Sequence, residues 1–369
     1  MTQFQARKES AAALGTANRF EATVLRVDRL AADVTGLVMA PTANARFCYR
    51  PGQYLSVVLL DGQRRSFSMA SACGVDRPIE LHIRRLLGGC FSDAVLAGLK
   101  VGDQLVFEGP FGHVDWREGV GPVILMGTGT GLAPLKALLE HGLVVGGQRE
   151  IHLYWGGRVP ADLYLSAHLH RLARNHARLR FIPILSRPHA GWVGRRGYVQ
   201  DAVAEDFPNL HDADVYACGS GAMINAARAR FGDLPGFDEE RFLVDAFEPA
   251  APSTFSSGLP TVRLSVNIQG TVRSVRACRG ATLLSALQVA GAPILSICGG
   301  KASCGTCKIT VAQAWRERLP NPERSEQRLL ANLDDIGPCD RLACQIRLTQ
   351  ETDGLAISLI CEPTAKWPA

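Results

Sequence analysis

The chain has 369 residues, 47% of them hydrophobic and 20% charged, with a net charge of +5 from 40 basic and 35 acidic residues. This balance suits two or three compact domains and excludes a disordered chain. A positive excess so small and dispersed argues against nucleic acid as the main partner, and no apolar run reaches the roughly 18–20 residues that would span a bilayer. The N-terminus has no apolar core of the kind a secretory signal needs, so the expectation is a cytoplasmic protein with no membrane contact. Its 11 cysteines are then not read as disulfides, because that compartment is reducing. The scattered ones read as small buried fillers, and the clustered ones as metal ligands.

In chain order, residues 1–17 read as a flexible tail. Residues 18–117 carry short strands such as "YLSVVLL" and "IELHIRRL", separated by the turn signals "RPGQ" and "LDGQ". That rhythm predicts an antiparallel β-barrel. Inside it stands "RRSFSMAS": Arg65 can neutralise an anion, Phe67 can lie on a ring system, and Ser66 and Ser68 offer hydroxyls. Further on comes "GGCFSDAVL", where Gly88, Gly89, Cys90, Phe91 and Ser92 open a predicted helix whose N-terminal amides suit phosphate. His82 and Arg84, on the strand before it, read equally as ligand contacts or as a solvent-facing side.

Residues 118–248 change period. "PVILMG", "EIHLYWGG", "RLRFIPILS" and "ADVYACGS" are strands with helical stretches between them, predicting a doubly wound parallel sheet. Gly127-Thr128-Gly129-Thr130-Gly131 is a strand-to-helix turn that brings backbone close to a pyrophosphate. Cys218-Gly219-Ser220 forms a second such turn, Ser186-Arg187 follows another strand, and Phe247 stands near the end of the domain.

Residues 249–260 have a linker composition, with Pro249, Pro252 and Pro260 among small hydroxyl residues. Residues 261–369 begin with a hairpin turning at Gln269-Gly270, then a helix over Thr282–Ala290, then "ICGGKASCGTCKI". Further strands make this a small α+β domain. Cys298, Cys304 and Cys307 are spaced C-x5-C-x2-C, and Cys344, at the start of an apparent strand, is the candidate fourth thiolate. Cys339, beside Pro338, is its rival. Zinc and a free-thiol loop are the other readings, but zinc ribbons favour paired short knuckles.

The ordered set "RRSFS", "GGCFS" and "GPFG", followed by the Gly-rich turn, resembles the ferredoxin–NADP reductase superfamily of the NAD(P)H-dependent oxygenase-reductase type. The stretch "GGKASCGTCKI" with "RLACQI" resembles the adrenodoxin/putidaredoxin branch of two-iron two-sulfur ferredoxins. The resemblance implies FAD on Arg65, Ser66, Phe67, Ser68 and the loop Gly88–Ser92, with "GPFG" favouring FAD over FMN. It places NAD(P)H on Gly127–Gly131 and Cys218–Ser220, with Cys218 near the point of hydride transfer and Phe247 as an aromatic shield. Ser186-Arg187 resembles the grip that NADP-dependent members place on the extra phosphate, while the surrounding sequence looks more like NADH-dependent members. The third domain is then a β-grasp ferredoxin holding a 2Fe-2S cluster on Cys298, Cys304, Cys307 and Cys344. The implied function is an oxygenase reductase component. It would pass electrons from NAD(P)H through FAD and the cluster, one at a time, to a terminal oxygenase. A Rieske-type partner comes first, a haem-thiolate or diiron monooxygenase second, and a redox-sensing iron–sulfur flavoprotein is the non-enzymatic alternative.

Overall fold

The computed structural model describes residues 19–247 and 261–359, apart from 43–46, 59–63, 73, 75–76, 86–95, 97, 295, 297–299, 301, 303–304 and 334–335. The chain divides into two units, Met1–Phe247 and Glu248–Ala369.

The first unit opens with β1 (Arg19–Arg29), β2 (Val34–Pro41), β3 (Tyr54–Val58), β4 (Arg64–Ser68), β5 (Ile79–Arg84) and β6 (Gln104–Phe111). They form one antiparallel sheet in the order β4-β3-β6-β1-β2-β5. A bridge from Met69, just past β4, to Leu81 in β5 joins the two edges and closes the barrel. Alternate residues point inward, so Val24, Leu37, Leu55, Leu81 and Phe107 fill the interior. The "RPGQY" stretch is the expected structural turn: Gln53 accepts from Arg50 N at 2.7 Å and donates to Gly112 O at 3.1 Å.

The same unit continues with β7 (Val123–Thr128), α1 (Leu132–Val145), β8 (Ile151–Gly157), α2 (Ser166–Asn175), β9 (Leu179–Leu185), β10 (Arg195–Arg196), α3 (Val199–Asp206), β11 (Asp214–Ser220), α4 (Gly221–Gly232) and β12 (Phe242–Phe247). The strands run in the order β10-β9-β8-β7-β11-β12, every pair parallel. Strands buried on both faces need unbroken apolar runs, and "VILM" and "VYAC" supply them. The order reverses between β7 and β11, and such a switch point opens the crevice where doubly wound sheets bind ligands.

The second unit contains β13 (Thr261–Ile268), β14 (Thr271–Cys278), α5 (Leu283–Val289), β15 (Lys308–Val311), α6 (Gln313–Arg316), α7 (Arg324–Leu330), β16 (Asp340–Leu342) and β17 (Leu355–Leu359). Its sheet is mixed, in the order β14-β13-β17-β15-β16, with β13 and β17 parallel. The hairpin turns where predicted, Gln269 and Gly270 both having positive φ (49° and 86°). Thr282 caps α5, its Oγ1 accepting from Ser285 N at 3.2 Å. One local expectation is revised. Cys344 does not begin a strand: β16 ends at Leu342, Ala343 N makes one more in-register bond to Cys307 O at 3.0 Å, and the chain then turns in a short 3-10 turn over Ala343–Gln345.

Candidate cofactor sites

β4 lies where the barrel closes, and its register against β3 places Arg65 opposite Val57, Ser66 opposite Ser56 and Ser68 opposite Tyr54. Arg65, Ser66 and Phe67 are half-buried, while Ser68 is buried. The neighbouring Arg64 spends its guanidinium on Glu108, at 2.8 and 2.9 Å. This two-pronged ion pair ties β4 to β6, while Arg65 donates from Nη1 to the Arg64 carbonyl at 2.9 Å. The proposed phosphate loop, Gly88, Gly89, Cys90, Phe91 and Ser92, lies outside the described residues.

Ser68 Oγ donates to Asp245 Oδ2 at 2.8 Å. Asp245 sits on β12 beside Cys218 of β11, and Cys218 in turn pairs with Gly127 of β7. One row across the parallel sheet, Gly127–Cys218–Asp245, therefore runs to the serine of the barrel motif. Cys218 itself is fully buried, packed on the α1 side of the sheet with Leu135, Trp155 and Tyr216. Phe247, half-buried, pairs with the exposed Ser220 two residues further along. Ser220 also caps α4, accepting from Met223 N at 3.3 Å.

The Gly127–Gly131 turn fits a nucleotide. A Cβ on Gly131 would strike the Cys218 carbonyl, so only glycine allows the turn to lie directly on β11. Thr128 and Thr130, both half-buried, flank Gly129, and the turn leads straight into α1, whose N-terminal amides favour an anion. Ser186 and Arg187 follow β9, their amides held by Gly157 O at 3.0 Å and Arg158 O at 2.8 Å. That backbone pairing sets Arg187 next to Arg158.

His82 and Arg84 share the side of β5 that faces the nucleotide domain. His82 is occupied within the protein: Nε2 lies 3.0 Å from Glu80 Oε1 and Nδ1 lies 3.0 Å from Tyr164 Oη. Arg84 Nε stands 3.3 Å from Asp33 Oδ2, close enough for an ion pair though its N–H is not aimed at the carboxylate. Glu80 also receives Lys136 Nζ at 2.8 Å, and Lys136 reaches Ala70 O at 3.0 Å and Glu140 at 2.8 Å. Burial alone would raise the Glu80 carboxyl, but the His82 N–H and the Lys136 ammonium reverse this and hold it down at about 2. Burial likewise opposes charge on Lys136, but Glu140 and Glu80 overcome it and its pKa is raised. Neither this cluster nor Asp245 stands out in the sequence.

In the second unit Cys307 and Cys344 are buried, while Cys298 and Cys304 lie outside the described residues. Ala343 N bonds Cys307 O, so the two described cysteines flank one end of the β15–β16 ladder. Cys339 is at the other end, its carbonyl on Val311 N and its thiol donating to Gln313 Oε1 at 2.9 Å. Gly300 lies close to Cys344: Gln345 Nε2 spans Gly300 O at 3.5 Å and Cys344 Sγ at 3.4 Å. Gly300, Ala302 and Gly305 all have positive φ. The Ser296 hydroxyl is buried with no hydrogen-bond partner among the described residues. Buried cysteine sulfurs and a spare hydroxyl fit a sulfide cluster.

Comparison with known proteins agrees with this geometry. An oxidoreductase FAD-binding domain model matches residues 21–116, an oxidoreductase NAD-binding domain model 125–229, and a 2Fe-2S iron-sulfur cluster binding domain model 266–349. The CDP-6-deoxy-L-threo-D-glycero-4-hexulose-3-dehydrase reductase of Yersinia pestis is 39% identical over 217 residues, 59% of this chain and 64% of that protein. The chain thus spans a little less than two thirds of that curated relative. The reductase component 1 of terephthalate 1,2-dioxygenase from Comamonas sp is 35% identical over 62% of this chain and 68% of that protein. The crystal structure of the Amycolatopsis cytochrome P450 reductase GcoB matches 64% of this chain and 72% of that one, with 33% identity and a TM-score of 0.60. The chain belongs to the ferredoxin–NADP reductase family of FAD- and NAD-binding oxidoreductases, and carries a 2Fe-2S ferredoxin domain at its C-terminal end.

Proposed function

We propose that the chain is the reductase component of an oxygenase system, passing electrons from NAD(P)H through FAD and a 2Fe-2S cluster to a terminal oxygenase. The observation that carries this is the row Gly127–Cys218–Asp245 ending on Ser68, which sets the nucleotide turn and the flavin strand side by side. The names of the Comamonas and Amycolatopsis relatives support the choice of an oxygenase as acceptor. The domains are taken as 18–117, 118–248 and 261–369, with 249–260 as the linker, a division supported by the three matched segments.

Arg65, Ser66, Phe67 and Ser68, with the loop Gly88–Ser92, would hold FAD, and Asp245 would orient the Ser68 hydroxyl. Gly127–Gly131 and Cys218–Ser220 would hold NAD(P)H, and Phe247 would cover the flavin face that nicotinamide must reach. Cys298, Cys304, Cys307 and Cys344 would hold the cluster. When bound, FAD takes up a hydride and gives out single electrons, which the cluster relays. The residues of the chain bind, orient and exclude water.

The test is a Cys304→Ser variant assayed with NADH. It should keep ferricyanide reduction and lose cytochrome c reduction; equal rates of cytochrome c reduction with and without Cys304 would overturn the proposed route. A second reading follows from the 39% identity to the Yersinia protein: the acceptor is a nucleotide-sugar dehydrase. Reconstitution with each acceptor separates the two, since only the true partner should oxidise the cluster of the NADH-reduced protein within the turnover time.

A further inference from the structure

We infer that Tyr164 and His82 are positioning residues that fix the nucleotide-binding turn against the flavin strand. This rests on the reading above, in which NAD(P)H meets FAD between the barrel and the parallel sheet.

The contacts form a closed circuit. It leaves β5 at His82, whose side chain is 0% exposed. Glu80 is a carboxylate and can only accept, so His82 carries its proton on Nε2 and donates it there. In the neutral ring Nδ1 is then an acceptor, and the Tyr164 hydroxyl donates to it at 3.0 Å. Tyr164 stands edge-on to Trp155, with ring centroids 5.0 Å apart at 85°. Trp155 Nε1 donates to the carbonyl of Gly129 at 3.0 Å. Gly129 has a φ of +56°, and a Cβ there would lie 3.2 Å from the guanidinium of Arg84, two residues from His82 on the same strand. The circuit thus returns to β5.

A second tie runs in parallel. Lys136, in the helix that the turn opens, reaches back to Glu80 and to Ala70 O. Glu80 therefore receives both the histidine and the lysine, one from each side of the interface. The His82 side chain and Trp155 are fully buried, so the bonds they make are not freely exchanged for solvent contacts. The position of the nucleotide turn is therefore set by the barrel strand as well as by the turn's own sheet. Small displacements at such a site are costly to hydride transfer, which requires near-contact geometry.

The test uses the FAD-loaded full chain. Tyr164→Phe keeps the ring contacts and removes only the hydroxyl. The expected result is a saturating rate of flavin reduction by NADH lowered about tenfold, with the melting temperature nearly unchanged and amide exchange at Gly129–Gly131 accelerated. His82→Gln, which retains a donor and an acceptor, should restore most of the rate that His82→Leu loses. Wild-type rate and wild-type exchange in Tyr164→Phe would overturn the inference. So would FAD loss in His82→Leu with exchange at the turn unaltered, because His82 would then be acting as a flavin contact. If NADH fails to bleach even the wild-type flavin, the functional reading fails instead, and the exchange measurement still judges the circuit.

Discussion

Ser68 and Asp245 are 177 residues apart in the chain, and the hydroxyl of one donates to the buried carboxylate of the other at 2.8 Å. The bond joins the strand proposed to hold FAD to the strand beside the buried Cys218. Replacing Asp245 by Ala leaves Ser68 without this acceptor and frees its rotamer. Flavin reduction by NADH, followed by stopped-flow absorbance, should slow about tenfold or more, with a smaller change in the apparent Kd for NADH. A change confined to Kd would assign Asp245 to coenzyme binding instead.

The Glu80–Lys136 pair gives the first unit a pH window. Glu80 is held at about 2, below its ordinary 4.5, so its contribution is complete above pH 4.5 and fades as pH falls toward 2. Lys136 is raised above its ordinary 10.5, so its contribution is complete below that value and fades as pH rises through its folded pKa. Acid unfolding followed by circular dichroism should therefore lose stability between pH 4.5 and 2, and Glu80→Gln should flatten that limb. An unchanged acid limb in the variant would place the dependence elsewhere.

In the ferredoxin unit, the fully buried Glu326 accepts from Arg341 at 2.9 and 3.0 Å and from Leu342 N at 2.7 Å. This clamps α7 to the strand that leads into Cys344. Arg341→Met leaves a buried carboxylate unpaired, a loss of about 3–5 kcal/mol. Calorimetry should show the ferredoxin transition moving down and the transition of the first unit staying in place.

Cys344 and Cys339 can be told apart by colour. Cys339→Ser should keep the cluster absorbance and its reduction by NADH, since that thiol already serves Gln313 at the far end of the ladder. Cys344→Ser should lose most of the absorbance. The opposite pattern would exchange their roles.

Coenzyme choice is addressed by Arg187, held beside Arg158 past the end of β9. Arg187→Ala should raise the KM for NADPH severalfold and leave that for NADH nearly unchanged. Equal effects on both would remove Arg187 from the discrimination.

Much of the frame was legible from local pattern. The Gly127–Gly131 turn, the Gln269-Gly270 hairpin and the helix expected over Thr282–Ala290 each follow from residues within a few positions of one another, and each stands where expected, the helix spanning Leu283–Val289. The closure of the barrel, the pairing of Ser68 with Asp245 and the circuit through His82, Tyr164 and Trp155 join residues far apart in sequence. Asp245 in "FLVDAF" and Tyr164 in "ADLYL" carry no local signal; only the fold brings their partners to them. The buried Glu326 gives no local signal in the sequence, because its partner Arg341 lies on a different element.

The most direct test of the account is a visible and electron paramagnetic resonance spectrum of the full chain, reconstituted with FAD, iron and sulfide, before and after anaerobic NADH. The account predicts that the flavin bleaches and that the signal of a reduced two-iron two-sulfur cluster follows, within one turnover. Bleaching with the cluster left oxidised, at any NADH concentration, would contradict it.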